Sequence, residues 1–270
     1  MPELINMNRN LLQILILLFF TSLHGQNTDE KDFDFLNESL EWHLEFNDAC
    51  TKDWQSKWFL DGLLAEIKNT KEGMIFSAGP VEGDDASHAV LWTKNSFKGD
   101  VKIEYNYTRT DAKTKWVNIL YIQATGIDPY SEDIFEWNDF RAIPSMKKYF
   151  MNMKALHISY AAYKGNNLNQ NSDYVRARQY PLHPGQDFST TTEIPWPSFE
   201  TGLFKPGETY KVTVIKTNEK LYFKVEGKSD SKLFFWDLTD HPPILEGRIG
   251  LRHMYTRSAR YKDFNIYIKK

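Results

Sequence analysis

The chain has 270 residues, of which 41% are hydrophobic, 26% charged and 15% aromatic, with a formal net charge of -3 and a pI near 6.2. That composition is globular and rich enough in apolar mass for a large core. The missing basic surplus argues against nucleic acid as a partner, so any basic site must be local.

At the N-terminus, "MNRNLLQILILLFFTSLHGQ" sets Arg9 ahead of an apolar run from Leu11 to Leu23. This is the order of charged and apolar regions in a signal peptide. The run is shorter than the roughly 20 apolar residues that a membrane span needs. Residues 1–25 are therefore expected to be a cleaved signal peptide, with an uncleaved anchor as the alternative. The mature protein is expected to be exported, to the periplasm or into the medium, with no membrane span. Residues 26–40, containing the acidic "NTDEKDFDFLNES", read as a flexible tether, and residues 41–270 as one domain. The single cysteine, Cys50, can form no internal disulfide, so stability must come from the core. It has no neighbouring histidine in "NDACTKDW" and reads as a buried residue.

From Glu41 onward the segments "EWHLEFN", "HAVLWTK", "DVKIEYNYTR", "WVNILYIQA", "LHISYAAYK", "YVRARQY", "TYKVTVIKT", "KLYFKVEG", "RIGLRHMY" and "KDFNIYIKK" alternate or are β-branched and aromatic. Turn signals such as "FKGD", "KPGE" and "TNEK" separate them. Many short strands without helical periodicity predict an all-β jelly-roll sandwich of two antiparallel sheets. One segment breaks the rhythm: Gly126 to Lys154, "GIDPYSEDIFEWNDFRAIPSMKKYFMNMK". Connections beyond about 12–15 residues are uncommon unless functional or disordered, and its aromatic content predicts a packed lid loop over a cleft.

Strand parity sorts the polar residues. In "DYVRARQYP", Tyr174, Arg176, Arg178 and Tyr180 share one face, with Val175 and Ala177 on the other. His88 falls with Trp92, and His157 with Ser159, because Leu156 and Ile158 suit the core. Tyr160 falls with the core set unless a bulge re-aims it. Ile249 and Leu251 turn Arg252 outward. Asn118 and Gln123 lie on opposite faces, so parity admits at most one of them to the cleft. Each has a plainer reading: histidines as structural hydrogen-bonders, arginines as a solvated edge, tyrosines as ordinary strand residues. Three strands supplying the same chemistry favour a site. A guanidinium is a planar fork matched to carboxylate or sulfate, and Trp92 with the tyrosines offers flat faces for a sugar ring. Together they point to an acidic carbohydrate.

"SHAVLW", "ALHISY", "VRARQYP" and "GRIGLRHMYTRSARYKDFNIY", four motifs in order between about Leu44 and Ile268, resemble the YesU-like family, a domain of unknown function with a concanavalin A-like jelly roll. Within it, the signal and aromatic lid look like those of the ulvan oligosaccharide dehydratases of marine flavobacteria. The resemblance implies removal of water by β-elimination from a non-reducing-end uronic acid, leaving a 4,5-unsaturated sugar. For that reaction His88, His157 and Tyr160 are the expected catalytic groups, since histidine titrates nearest neutrality and neighbouring arginines favour a phenolate. Trp92, Asn118, Gln123, Tyr174, Arg176, Arg178 and Arg252 would bind the substrate.

A lyase that cleaves uronic-acid-containing chains is the nearest alternative, since it shares the elimination and differs in the leaving group. A non-catalytic module binding acidic carbohydrate is another, because fold does not settle function. A retaining glycosidase is disfavoured: "SEDIFEWND" offers Glu132, Asp133 and Glu136 but has Ile134 where a middle carboxylate is needed. No His-x-x-x-His or clustered Cys/His spacing suggests a metal. Acid-rich "EGDDAS" leaves a structural calcium open. The expected partner is an acidic oligosaccharide, with no cofactor and no obligate protein partner.

Overall fold

The computed structural model describes residues 28–38, 41–163 and 172–269; the expected signal peptide lies outside them. The chain divides into two units, Met1–Glu41 and Trp42–Lys270. In the first, residues 28–38, within the segment expected as a tether, form a helix, α1. Asp29 and Glu30 near its start suit the positive end of a helix dipole, and Phe33 and Leu36 fall three apart on one stripe.

Among its described residues the second unit has fifteen strands. In order they are β1 (Trp42–Asp48), β2 (Trp58–Asp61), β3 (Glu66–Thr70), β4 (Gly73–Ser77) and β5 (Ala89–Lys98). Next come β6 (Val101–Arg109), β7 (Asn118–Gly126), β8 (Met153–Tyr163), β9 (Asp173–Tyr180) and β10 (Glu193–Phe199). The last five are β11 (Thr209–Lys216), β12 (Lys220–Glu226), β13 (Ser231–Asp237), β14 (Glu246–His253) and β15 (Ser258–Lys269). Among the described residues, the short helices α2 (Met146–Asn152) and α3 (Phe188–Thr191) precede β8 and β10.

The strands form two antiparallel sheets, as the alternating pattern predicts. One has the order β13-β12-β11-β6-β15-β4-β3, with β1 also on β15; the other runs β10-β9-β8-β7-β14-β5-β2. Between them lies the main core, where Leu91, Leu120, Ile158, Ala177 and Leu251 of the second sheet meet Ile103, Tyr107, Val214, Tyr261 and Ile266 of the first. Burial of this kind is the dominant stabilising term in an all-β domain without disulfides. Cys50 is buried within the same core. No helix among the described residues is long and apolar enough to cross a membrane.

A second cluster lies on the outer face of the β10–β2 sheet. There the connection from Gly126 to Lys154 folds through two 3-10 turns (Ile134–Trp137 and Asp139–Arg141) and α2. Its Ile134, Trp137 and Tyr149 pack on Val90, Trp92 and Tyr121. Arg248 of β14 fastens its near end, donating from Nε and Nη2 to the two carboxylate oxygens of Asp133 at 2.9 and 2.8 Å. The lid is thus a folded, packed element.

Candidate functional site

The lid seals only part of that outer face. Beyond α2 an open cavity of about 300 Å³ remains over β8 and β9. This is the lower end of the range for small-molecule sites, about 300–1,000 Å³. Its polar lining comes from His157, Ser159, Tyr174, Arg176 and Arg178, and its apolar walls include Trp116, Phe150, Phe188 and Met254.

The ladder explains this convergence. In the antiparallel register of β8 and β9, His157 lies opposite Arg178 and Ser159 opposite Arg176. Directly opposed residues keep their side chains within about 5.5 Å at Cβ. The inner positions Ile158, Val175 and Ala177 join the core, which turns the polar set outward. Arg178 is almost fully buried. Its Nη1 donates to the carbonyls of Phe188 and Ser189, both at 3.0 Å, and to Thr192 Oγ1 at 2.7 Å, while the guanidinium lies 4.5 Å from the centre of the Phe188 ring. Arg176 is more open and stacks 4.8 Å from the ring of Tyr174. Glu193, which the sequence reading did not single out, sits beside both. Its Oε2 is 3.2 Å from Arg176 Nη1 and 3.6 Å from Arg178 Nη2.

His157 is held at both ring nitrogens, Nδ1 2.9 Å from the Tyr180 hydroxyl and Nε2 2.8 Å from Ser159 Oγ. Burial, then the charges of Arg178, Arg176 and Arg252, pushes its pKa well below the ordinary histidine range. The imidazole is therefore neutral across ordinary pH. Burial likewise pushes Tyr180 well above the usual tyrosine value, so its phenol keeps its proton. The imidazole on the cavity wall is clamped at both ring nitrogens, and the burial and guanidinium charges that keep it neutral also disfavour its protonation. Parity sets Ser159 and Tyr180 on this face; it cannot find Glu193, because only the β9–β10 pairing brings that residue opposite Arg178.

Other predicted residues are placed elsewhere. Tyr160 points into the core between the sheets, its hydroxyl 3.1 Å from that of Tyr261. A bulge exists, but it falls one residue too late. Ala161 takes a φ of 44° and the register shifts between Ser159 and Ala162, so Tyr160 keeps its inward parity. Asn118 also faces inward and donates to the Tyr107 hydroxyl at 2.7 Å. Gln123 occupies a bulge of β7 with a φ of 52°. Its amide ties down the carbonyls of Phe97 and Gly99, both at 2.9 Å, so it serves the turn and not the cavity.

Trp92 has the predicted parity but no exposure. Its indole stacks on Tyr121 with centroids 5.2 Å apart, and Gly250 presses so close that an added Cβ would sit 2.4 Å from the ring. No sugar can reach it. Its Nε1 donates at 2.9 Å to Asp61, a fully buried carboxylate that also accepts from Arg141 Nε at 2.7 Å, Tyr149 Oη at 2.7 Å and the Asn138 amide. Asp61 thereby pins three lid residues to the sheet.

His88 and Arg252 pair with each other. Arg252 Nη2 donates to His88 Nδ1 at 2.8 Å and to the lid carbonyl of Pro144 at 2.6 Å. Burial, with Arg252 beside it, brings His88 down to about 2. Arg252 lies 4.5 Å from the Tyr149 ring centre, and neither residue lines the cavity. The charge of Arg252 is the smallest of the three arginine contributions that lower His157. In the acid-rich turn, Asp84 caps the backbone of Ala86. Among the described residues no group of three or more His, Cys, Asp or Glu stands together to hold a metal.

The profile of a family described as a domain of unknown function, DUF1961, matches residues 46–266. No curated protein matches the sequence. Among solved structures, a Bacillus subtilis protein of unknown function with a galectin-like fold is similar at 16% identity. Its TM-score is 0.60, over 85% of this chain and 100% of the other. The carbohydrate recognition domain of Emp46p is similar at 16% identity and a TM-score of 0.54, over 84% and 98%. The lumenal domain of VIP36, bound to calcium and Man3GlcNAc, is similar at 10% identity and a TM-score of 0.53, over 83% and 90%. At these identities the likeness concerns the fold.

Proposed function

We propose that this chain, which belongs to the DUF1961 family of unknown function, is a carbohydrate-active dehydratase. It would act on oligosaccharides of the ulvan type, removing water from a terminal uronic acid to leave a 4,5-unsaturated uronyl end. One observation carries the reading: a neutral histidine and two arginines line a single open cavity, placed there by opposed positions of two strands. Carbohydrate-binding proteins among the structures of similar fold support a sugar as the ligand.

In this reading Arg176 and Arg178 receive the substrate carboxylate, while Phe150, Phe188 and Trp116 form the apolar walls against the ring. Removing the proton beside the carboxylate places negative charge on it, and a fixed donor at developing charge is worth about 10²–10³ in rate. His157 takes the proton once the substrate carboxylate offsets the arginine charges that lower its basicity, and Ser159 and Tyr180 fix its orientation. The leaving oxygen needs a proton. Tyr174 is the cavity phenol suited to give it, since its hydroxyl has only a long contact with Arg176 at 3.4 Å, whereas that of Tyr163 is taken by Arg109. A general acid or base so placed contributes about 10²–10⁴.

The test is incubation with uronic-acid-ended oligosaccharides, followed by ultraviolet absorbance and product mass. Absorbance of a conjugated uronate with loss of one water supports the dehydratase. The same absorbance with shortened chains assigns the site to a lyase. Saturable binding without any product makes it a binding module.

A further inference from the structure

We infer that Glu193 is an internal stand-in for the ligand's carboxylate, filling the arginine pair when no ligand is bound and excluding neutral sugars from the cavity. The inference rests on the reading of this cavity as a site for an acidic sugar, but it concerns binding and requires no turnover.

Three observations meet here. First, the contact is loose. Both guanidiniums reach the same oxygen, at 3.2 and 3.6 Å, against about 2.7–2.9 Å for a well-formed charge-assisted hydrogen bond. Second, the arginines are left with unused donors: Arg176 Nε and Arg178 Nε are buried without a hydrogen-bond partner among the described residues, although Arg178 is only 2% exposed. A planar carboxylate in place of Glu193 could pair with the two guanidiniums through both its oxygens, where Glu193 offers them one. Third, Glu193 can leave. Its side chain is 29% exposed, so water can take up its charge. It also starts an edge strand whose pairing with β9 breaks between Ile194 and Ser198.

The consequence is selectivity by exchange. A ligand that brings its own carboxylate replaces one anion by another, and the arginines stay paired throughout. A neutral sugar that displaced Glu193 would strand two guanidiniums, one of them nearly buried, and an unpaired buried charge is strongly unfavourable. Glu193 is thus a specificity-determining residue, distinct from the group that takes the proton.

The experiment is an NMR titration of the protein with glucuronate and, separately, glucose, comparing the wild type with Glu193→Gln and with Glu193→Gln/Arg176→Ala. Melting temperatures verify that each variant is folded. Removing the competing anion is expected to tighten glucuronate binding about three- to tenfold, the scale of a partly exposed ion pair with more than one donor. The added Arg176→Ala change is expected to abolish that gain, and glucose is expected to leave the wild type unshifted. Unchanged or weaker glucuronate binding in Glu193→Gln would overturn the inference. So would glucose binding the wild type as well as glucuronate does, or no glucuronate binding by either protein. Tighter glucuronate binding in a protein that forms no unsaturated product would retire the dehydratase reading and leave this one standing.

Discussion

Two arginine–carboxylate sites share one sheet face, and they are built to opposite ends. At the lid, Arg141 and Asp61 are both fully buried and 2.7 Å apart. Asp61 is further satisfied by an indole, a phenol and an amide. Over β8 and β9, Arg176 and Arg178 share one oxygen of a partly exposed glutamate, and some of their nitrogens have no partner among the described residues. A buried pair that is fully hydrogen-bonded holds structure together, whereas a half-satisfied pair beside an open cavity has capacity left for a ligand. Charge type alone does not mark a site; the degree of satisfaction does.

The largest effect is expected at the closed end. Asp61→Ala should destabilise the protein by about 3–5 kcal/mol, because it leaves Arg141 as an uncompensated buried charge. Urea unfolding reads this directly, and a loss below about 1 kcal/mol would show that the lid is held by packing alone. At the open end, His157→Ala should lower turnover of a uronic-acid-ended oligosaccharide about 10²–10⁴-fold, with the fold retained by circular dichroism. Undiminished turnover would remove His157 as the base.

Acidity probes both halves together. His253 is buried at the end of β14, with Nε2 2.8 Å from the Tyr261 hydroxyl. His88 is held down at about 2 and His253 at about 3 by burial and neighbouring arginines, and His157 is lowered as well. Each folded value lies below the unfolded one, near 6.5, so between the two the unfolded chain binds more protons. Stability should be complete above about pH 6.5 and fall as pH drops from there. A urea midpoint that stays flat from neutral pH down to about 4 would contradict the burial of these imidazoles. The smallest effect is expected from Tyr160→Phe. It removes one core hydrogen bond, a loss of about 1 kcal/mol, and should leave turnover within a small factor of wild type. A large loss of turnover would return Tyr160 to the chemistry.

Parity made half of this legible beforehand. Period-2 alternation in "DYVRARQYP" and "ALHISY" puts Arg176, Arg178, His157 and Ser159 on the outer face, where the ladder then sets them opposite one another. Parity says nothing of what covers a face. Trp92 and His88 have the right orientation yet lie away from the cavity, Trp92 sealed beneath lid residues and His88 bound to Arg252. Bulges are equally silent in a pattern: the one at Ala161 comes after Tyr160 and does not re-aim it, and the one at Gln123 makes that residue a turn clasp. Asp61 in "FLDG" and Glu193 in "TTEIPW" carry no local signal: the partners of Asp61 are far away in the chain, and those of Glu193 are set by how β10 pairs with the strand before it.

The most direct measurement is mass spectrometry of ulvan-derived oligosaccharides after incubation with the wild type and with His157→Ala. The wild type should yield products lighter by one water and no shorter, and the variant should leave them unchanged. Unaltered masses with the wild type, under conditions where the sugars demonstrably bind, would contradict proton removal in this cavity.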